Sequence, residues 1–153
     1  MTDLAIHAIN DTDLDLVLTG GELLPDDSLL PAVMASLLTD REFAAAADGD
    51  RRGWWGDSVL ANPDDRDGAH LWRLARRRLS EGTVREAEQS AREALAWLVD
   101  DAVAQSVQVS AQVSANDRID LAITLQRPEG VERYRLADLW DASTRPTFGI
   151  FTP

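Results

Sequence analysis

The sequence has no cysteine, no lysine and only two histidines, and each shortage removes a class of chemistry. Without cysteine there is no disulfide framework and no thiolate nucleophile or metal ligand. With His7 and His70 as the only imidazoles, a zinc site has too few nitrogen ligands. Long apolar runs are missing too; a bilayer span needs roughly 20 apolar residues, so no membrane partner is expected. The start, Met1-Thr2-Asp3-Leu4, lacks the basic region and apolar core of a secretory signal. Positive charge is scarce: 15 basic residues, all Arg, stand against 27 Asp and Glu, for a net charge of −12. Phosphate binding needs a positive field, so no nucleic-acid partner is expected. The all-Arg usage fits either a GC-rich genome or the preference of protein interfaces for the planar guanidinium.

Catalytic constellations are absent as well. There is no Ser/His/Asp set, no phosphate-cradling Gly loop and no two-His metal signature. An acid catalyst of the glycosidase kind needs a carboxyl whose pKa is raised by apolar surroundings. No Asp or Glu stands isolated in an apolar run. The expectation is a protein that is not an enzyme and takes no cofactor and no metal.

What remains, 153 residues with 44% hydrophobic and 27% charged, is the makeup of one globular domain. Leu14, Leu16 and Leu18 alternate with Asp13, Asp15 and Val17, predicting a strand. Gly20-Gly21 turns it, and Glu22-Leu23-Leu24 reads as its return. Asp26, Asp27 or Ser28 can cap a helix over Leu29 to Leu38, with Pro31 tolerated in its first turn. Thr39 to Gly68 is a long loop rich in turn residues, a length that usually signals function or disorder. His70 to Leu79 reads as a short helix. Thr83-Val84-Arg85-Glu86 reads as a capping box opening a helix to about Ala104. Its apolar face is Val84, Ala87, Ala91, Leu95, Leu98 and Ala102. Three strands with period-two alternation follow: Val107 to Val113, Ile119 to Leu125, and Val131 to Leu136. The predicted fold is α+β: an antiparallel three-stranded meander plus N-terminal strands, packed on one long helix and two shorter ones. The uncharged stretch Gln105 to Ala115 forms an edge strand, to be covered by the N-terminal strand or extended by another chain. The domain runs 1–140. The tail, 141–153, carries Phe148, Ile150 and Phe151 and is expected to dock on a neighbouring subunit.

Three motifs invite chemistry. Asp11, Asp13, Asp15 and Glu22 share the spacing of a calcium loop, but Leu16 stands where its sharp turn needs glycine, so the strand reading prevails. Asp64, Asp65 and Asp67 read as a solvated turn. Arg73, Arg76, Arg77 and Arg78 spread around a helix, as on a salt-bridging face or a dock for an acidic neighbour. The most informative segment is Asp50-Arg51-Arg52-Gly53-Trp54-Trp55-Gly56-Asp57. Successive side chains of an extended loop point opposite ways, so one indole can plug the domain while the other faces out. An Arg beside them can stack on a ring, and Trp and Arg are the residues most enriched at interface hot spots. The competing reading folds both indoles onto the chain's own surface as a loop clasp.

This octad resembles the hallmark of the Mu-like phage tail wedge proteins, among the sheath-initiating baseplate proteins of contractile injection systems. Leu14 to Leu24, Leu71-Trp72-Arg73-Leu74, Glu93 to Asp101 and Arg127-Pro128-Glu129-Gly130 are similar to further parts of that family. The resemblance covers roughly Leu14 to Trp140. It implies a structural baseplate component joining the hub or spike to the wedge and helping nucleate the sheath. The implied partners are wedge, hub or spike proteins and the tail sheath subunit, in a ring-like assembly of several copies. The implied location is the virion, with the host cytoplasm during assembly. An adaptor or chaperone-like module of another complex, and more distantly a cell-wall hydrolase, are the alternatives. The candidate partner-binding residues are Arg51, Arg52, Trp54, Trp55, Asp57, Trp72, Arg73, Phe148, Ile150 and Phe151.

Overall fold

Three alternating strands dominate the fold. The computed structural model describes residues 3–8, 14–44, 49, 52–59, 67–114, 118–137 and 147–150. Ser106–Ser114 (β7), Arg118–Arg127 (β8) and Gly130–Ala137 (β9) form the antiparallel meander. Ile119, Leu121, Ile123 and Leu125 alternate along β8 and are all essentially inaccessible, joined by Val109, Tyr134 and Leu136. Burying each such side chain contributes roughly 1.5–3 kcal/mol.

The helices cover this apolar face. Leu30–Leu38 (α1) buries Val33, Met34 and Leu37. Glu81–Ala94 (α2) packs against β7 and lays Ala87, Ala91 and Ala94 on the core. These small side chains let the helix approach the sheet closely. The chain then breaks at Leu95-Ala96 and continues as Trp97–Asp100 (α3). The sequence reading expected one helix to Ala104. Instead Ala96 N–H bonds the Glu93 carbonyl and Leu98 N–H the Leu95 carbonyl, tightening the turn so that Leu95 and Leu98 both enter the core. Ala102, expected on the buried face, is exposed and left-handed at φ 57°, where the chain leaves for β7. The start also differs. Ser80, not Thr83, is the N-cap and accepts the Thr83 N–H at 3.2 Å. Thr83 Oγ1 turns back to the Arg78 carbonyl at 2.8 Å. The short helix expected over His70 to Leu79 is a 3-10 helix, Leu71–Arg76, that ends before the apolar Leu79.

The N-terminal strands do not join this sheet. Asp3–Leu4 (β1), Ile6–Ala8 (β2), Leu14–Leu16 (β3), Leu18–Thr19 (β4), Glu22–Leu23 (β5) and Pro25–Asp26 (β6) pair among themselves: β1 with β6, β2 with β3, β4 with β5. The partners change at one level. Ala5 N–H bonds the Leu24 carbonyl, Leu24 N–H the Val17 carbonyl and Val17 N–H the Ala5 carbonyl, each at 2.8–2.9 Å, closing a ring of three chain segments. This arm leaves β7 an outer strand among the described residues. Part of that edge is blocked locally: the Ala111 N–H donates to Glu88 of α2 at 3.2 Å. That bond, with Arg92 beside it, holds the Glu88 carboxyl below the usual carboxylate range. The opposite edge is filled by Thr147–Ile150 (β10), antiparallel to β9 with Phe148 opposite Leu136. The sequence reading put this segment on a neighbouring subunit; here its backbone completes a four-stranded sheet of the chain itself.

One polar lock joins arm, helix and sheet. Ser28 is held by Asp26 and offers its Oγ to the Leu30 N–H at 3.3 Å, while the Leu29 N–H donates to Glu132 of β9 at 3.1 Å. The cap expected from Asp26, Asp27 or Ser28 alone is thus shared with a side chain a hundred residues away. Arg127 and Tyr134 both bond Glu132, and Arg127 also donates to the Asp27 carbonyl at 3.0 Å.

Candidate docking surface

The Trp octad is positioned by a clasp. Thr39 and Arg41 pair with Ala69 through backbone bonds of 2.9 and 3.0 Å, drawing the two ends of the long loop together. Gly68 makes this crossing possible: at φ +95°, a side chain there would meet the Thr39 carbonyl at 2.5 Å. His70 is then fixed from both sides, its N–H donating to Ser90 Oγ of α2 at 2.8 Å and its Nε2 to the Glu42 carbonyl at 3.2 Å. Phe43 stands edge-on to the His70 ring at 5.4 Å.

Trp72 and Arg73 complete the clasp. The Trp72 indole N–H donates to the Arg41 carbonyl at 3.0 Å, and the Arg52 guanidinium lies over its ring at 5.2 Å. Arg52 also approaches Asp40 at 3.8 Å. The Arg73 guanidinium sits 3.5 Å above the Phe43 ring and reaches Glu86 at 3.5 Å. Arg77 pairs with the same Glu86. Trp72, Arg73 and Arg52 are therefore engaged within the chain: they brace the loop against α2. Each stacked cation contributes about 0.5–1 kcal/mol at such partly exposed sites.

On this brace sits a 3-10 turn, Trp55–Val59. Trp54 lies flat over Gly56, so close that a Cβ on Gly56 would fall 2.3 Å from the ring. Glycine at 56 lets the indole fold down onto its own turn. Trp55 points away: its ring is 5.7 Å from that of Trp54 and tilted by 50°, and the residue is 76% exposed. Val59, 74% exposed, stands at the end of the same turn. The Asp57 N–H closes the turn on the Trp54 carbonyl at 3.2 Å, and Ser58 Oγ donates to the Trp55 carbonyl at 2.7 Å. Both carboxylate oxygens of Asp57 are shielded from solvent without a hydrogen-bond partner.

The sequence-predicted residues thus divide. Trp55 faces outward, Trp54 rests on its own turn rather than in the core, and Arg52, Trp72 and Arg73 form the support. Arg51 and Phe151 lie outside the described residues, as do the side chains of Phe148 and Ile150. Sequence reasoning missed Phe43, Ser90 and Glu86 as parts of the support. Only contacts between separate segments of the chain assign them, Phe43 and Ser90 to the 3-10 helix and its cap and Glu86 to Arg73 and Arg77, and no local spacing signals that. It also found no buried carboxylate, whereas Asp120 is 2% exposed and ion-paired with Arg135. Among the described residues no three His, Cys, Asp or Glu are grouped to hold a metal ion, and no helix is long and apolar enough to cross a membrane.

The geometry is that of an outward indole on a turn closed by hydrogen bonds, carried by a small α+β protein. The chain belongs to the family of phage protein GP46, whose pattern matches residues 29–132. It is 41% identical over 135 residues to the Mu-like prophage FluMu protein gp46 of Haemophilus influenzae, covering 88% of this chain and 94% of that one. It is 38% identical over 135 residues to the baseplate protein gp46 of Escherichia phage Mu, covering 85% of this chain and 90% of that one.

Proposed function

We propose that this chain is a structural component of a contractile phage tail baseplate. In this reading it joins the hub or spike to the wedge, helps nucleate the sheath, and sits in several copies in a ring within the virion. The observation that carries the reading is the near full-length likeness to a protein named as a phage Mu baseplate protein. The exposed Trp55 on its braced turn supports it: a hot spot needs a rigid aromatic anchor whose ordering cost is already met by the fold. The part of the outer β7 edge that Glu88 leaves unblocked supports it as well, since an uncharged edge strand can accept a strand from a neighbour.

The test is the Trp54→Ala/Trp55→Ala double variant. Truncating a hot spot costs about 2 kcal/mol or more of binding. The purified variant is expected to melt within a few degrees of the parent, because neither indole reaches the core. It is expected to be lost from assembled tails, read by quantitative mass spectrometry of purified particles. Normal incorporation of a folded double variant would defeat the docking role of the turn.

A further inference from the structure

The N-terminal arm carries a second apolar surface, distinct from the Trp turn and preceding the segment matched by the family pattern, which begins at residue 29. Its centre is the hairpin of β4 and β5. Leu18 and Leu23 are direct cross-strand partners, so their side chains share one face. They are 64% and 43% exposed, and Leu24 beside them is 40% exposed. Gly20 and Gly21, at φ 65° and 89°, form the tight turn, with the Thr19–Glu22 pair next to it and the leucine pair one step behind. Such a tip gains nothing from its own leucines: isolated two-stranded hairpins are marginal, and their apolar side chains stabilise only when covered. In this arm, the ring of backbone bonds through Ala5, Val17 and Leu24 holds the strands in place, and Ile6 packs on the main core. The leucine pair is free for another use.

Charge defines what can cover it. The first 28 residues contain seven of the chain's 27 acidic residues and no Arg or Lys; the first basic residue is Arg41. Two arms meeting face to face would set like charge against like, so a symmetric pairing of copies is opposed. Nucleic acid and anionic lipid surfaces are repelled for the same reason. An apolar pocket rimmed by Arg or Lys on another protein suits both the leucines and the field around them.

We infer that the hairpin tip Leu18–Leu23 is a plug that seats in an apolar, basic-rimmed pocket of a different tail protein. This rests on the baseplate reading above, and the experiment separates the two. A photo-crosslinking benzoylphenylalanine is placed at position 18 of the full chain, phage particles are assembled and irradiated, and crosslinked peptides are identified by mass spectrometry. If the chain is absent from purified particles in every form, parent included, the baseplate reading itself fails. If the chain is present, the inference expects one dominant crosslink, to a single other tail protein, at a segment of net positive charge. Crosslinks to a second copy of the chain, to an acidic segment or to nucleic acid, or no crosslink above that from position 131, would overturn it. Val131, also exposed at 41%, is the control site. A Leu18→Ser/Leu23→Ser variant should fold with an unchanged melting temperature and enter particles at least tenfold less well. Val131→Ser should enter normally. Undiminished entry of the double variant would also overturn the inference.

Discussion

Glu132 shows how much one side chain can hold together. Burial pushes its carboxyl pKa up, but hydrogen bonds from Tyr134, the Leu29 N–H and Arg127 outweigh burial and keep it below its ordinary value of 4.5. Tyr134 responds in the opposite sense: burial and the neighbouring carboxylate push its phenol well above the usual value. A folded-state pKa below the unfolded one means that the folded chain binds this proton less readily. The stability Glu132 supplies is therefore present above about pH 4.5 and is lost as pH falls through its lower folded value. Glu132→Gln keeps the shape and removes the charge. It is expected to cost about 2 kcal/mol at neutral pH, since hydrogen bonds to charged groups contribute roughly 1.5–3 kcal/mol. The variant should also lose less stability than the parent on acidification below pH 4.5, measured by urea unfolding at several pH values. Equal acid sensitivity in both proteins would show that other carboxylates set the transition.

At the scale of elements, the broken helix is the instructive case. Its apolar spacing was legible from Val84 to Leu98, and Ala87, Ala91, Leu95 and Leu98 are all buried. The break at Leu95-Ala96 was not legible, because nothing in the local sequence forbids a helix there; it is imposed by the turn that carries both leucines into the core and by Trp97 reaching Ser36 of α1 at 3.0 Å. Leu98 is wholly buried, and its carbonyl accepts the Ala104 N–H at 2.7 Å, closing the link to β7. Leu98→Ala is expected to cost about 2–5 kcal/mol, as cavity-forming core truncations do. Chemical denaturation of the purified variant measures this; a midpoint equal to the parent's would contradict the packing described.

On the scale of the whole molecule, the two ends of the chain behave differently. The arm folds on itself, while Thr147–Ile150 returns to the main sheet beside β9. The tail was expected to serve a neighbour; instead four residue pairs hold Thr147–Ile150 at the edge of the chain's own sheet. Deleting Phe148 to Pro153 is expected to leave the meander and its helices folded, because the buried residues of β8 and α2 all precede it. A melting point lower by a few degrees is expected, together with reduced entry into particles. Collapse of the truncated chain, read by loss of cooperative melting, would place the strand within the indispensable core.

The sequence by itself determined the α+β class, the three alternating strands, the span of α1 and the start of α2 within a few residues, and the singular character of the Trp octad. These follow from period-two and period-3.6 patterns and from turn residues, which act within a few positions. Family membership was equally legible, in the octad and the shorter stretches around it. The tertiary structure alone decided which indole faces outward, because that depends on Gly56 lying beneath Trp54 and on Arg52 and Trp72 meeting across about 20 residues. It alone placed the N-terminal strands in a ring of their own rather than along β7. Strand patterns fix which face of a strand is apolar but not which edge it pairs with; that choice belongs to backbone bonds between distant segments, here those joining Ala5, Val17 and Leu24.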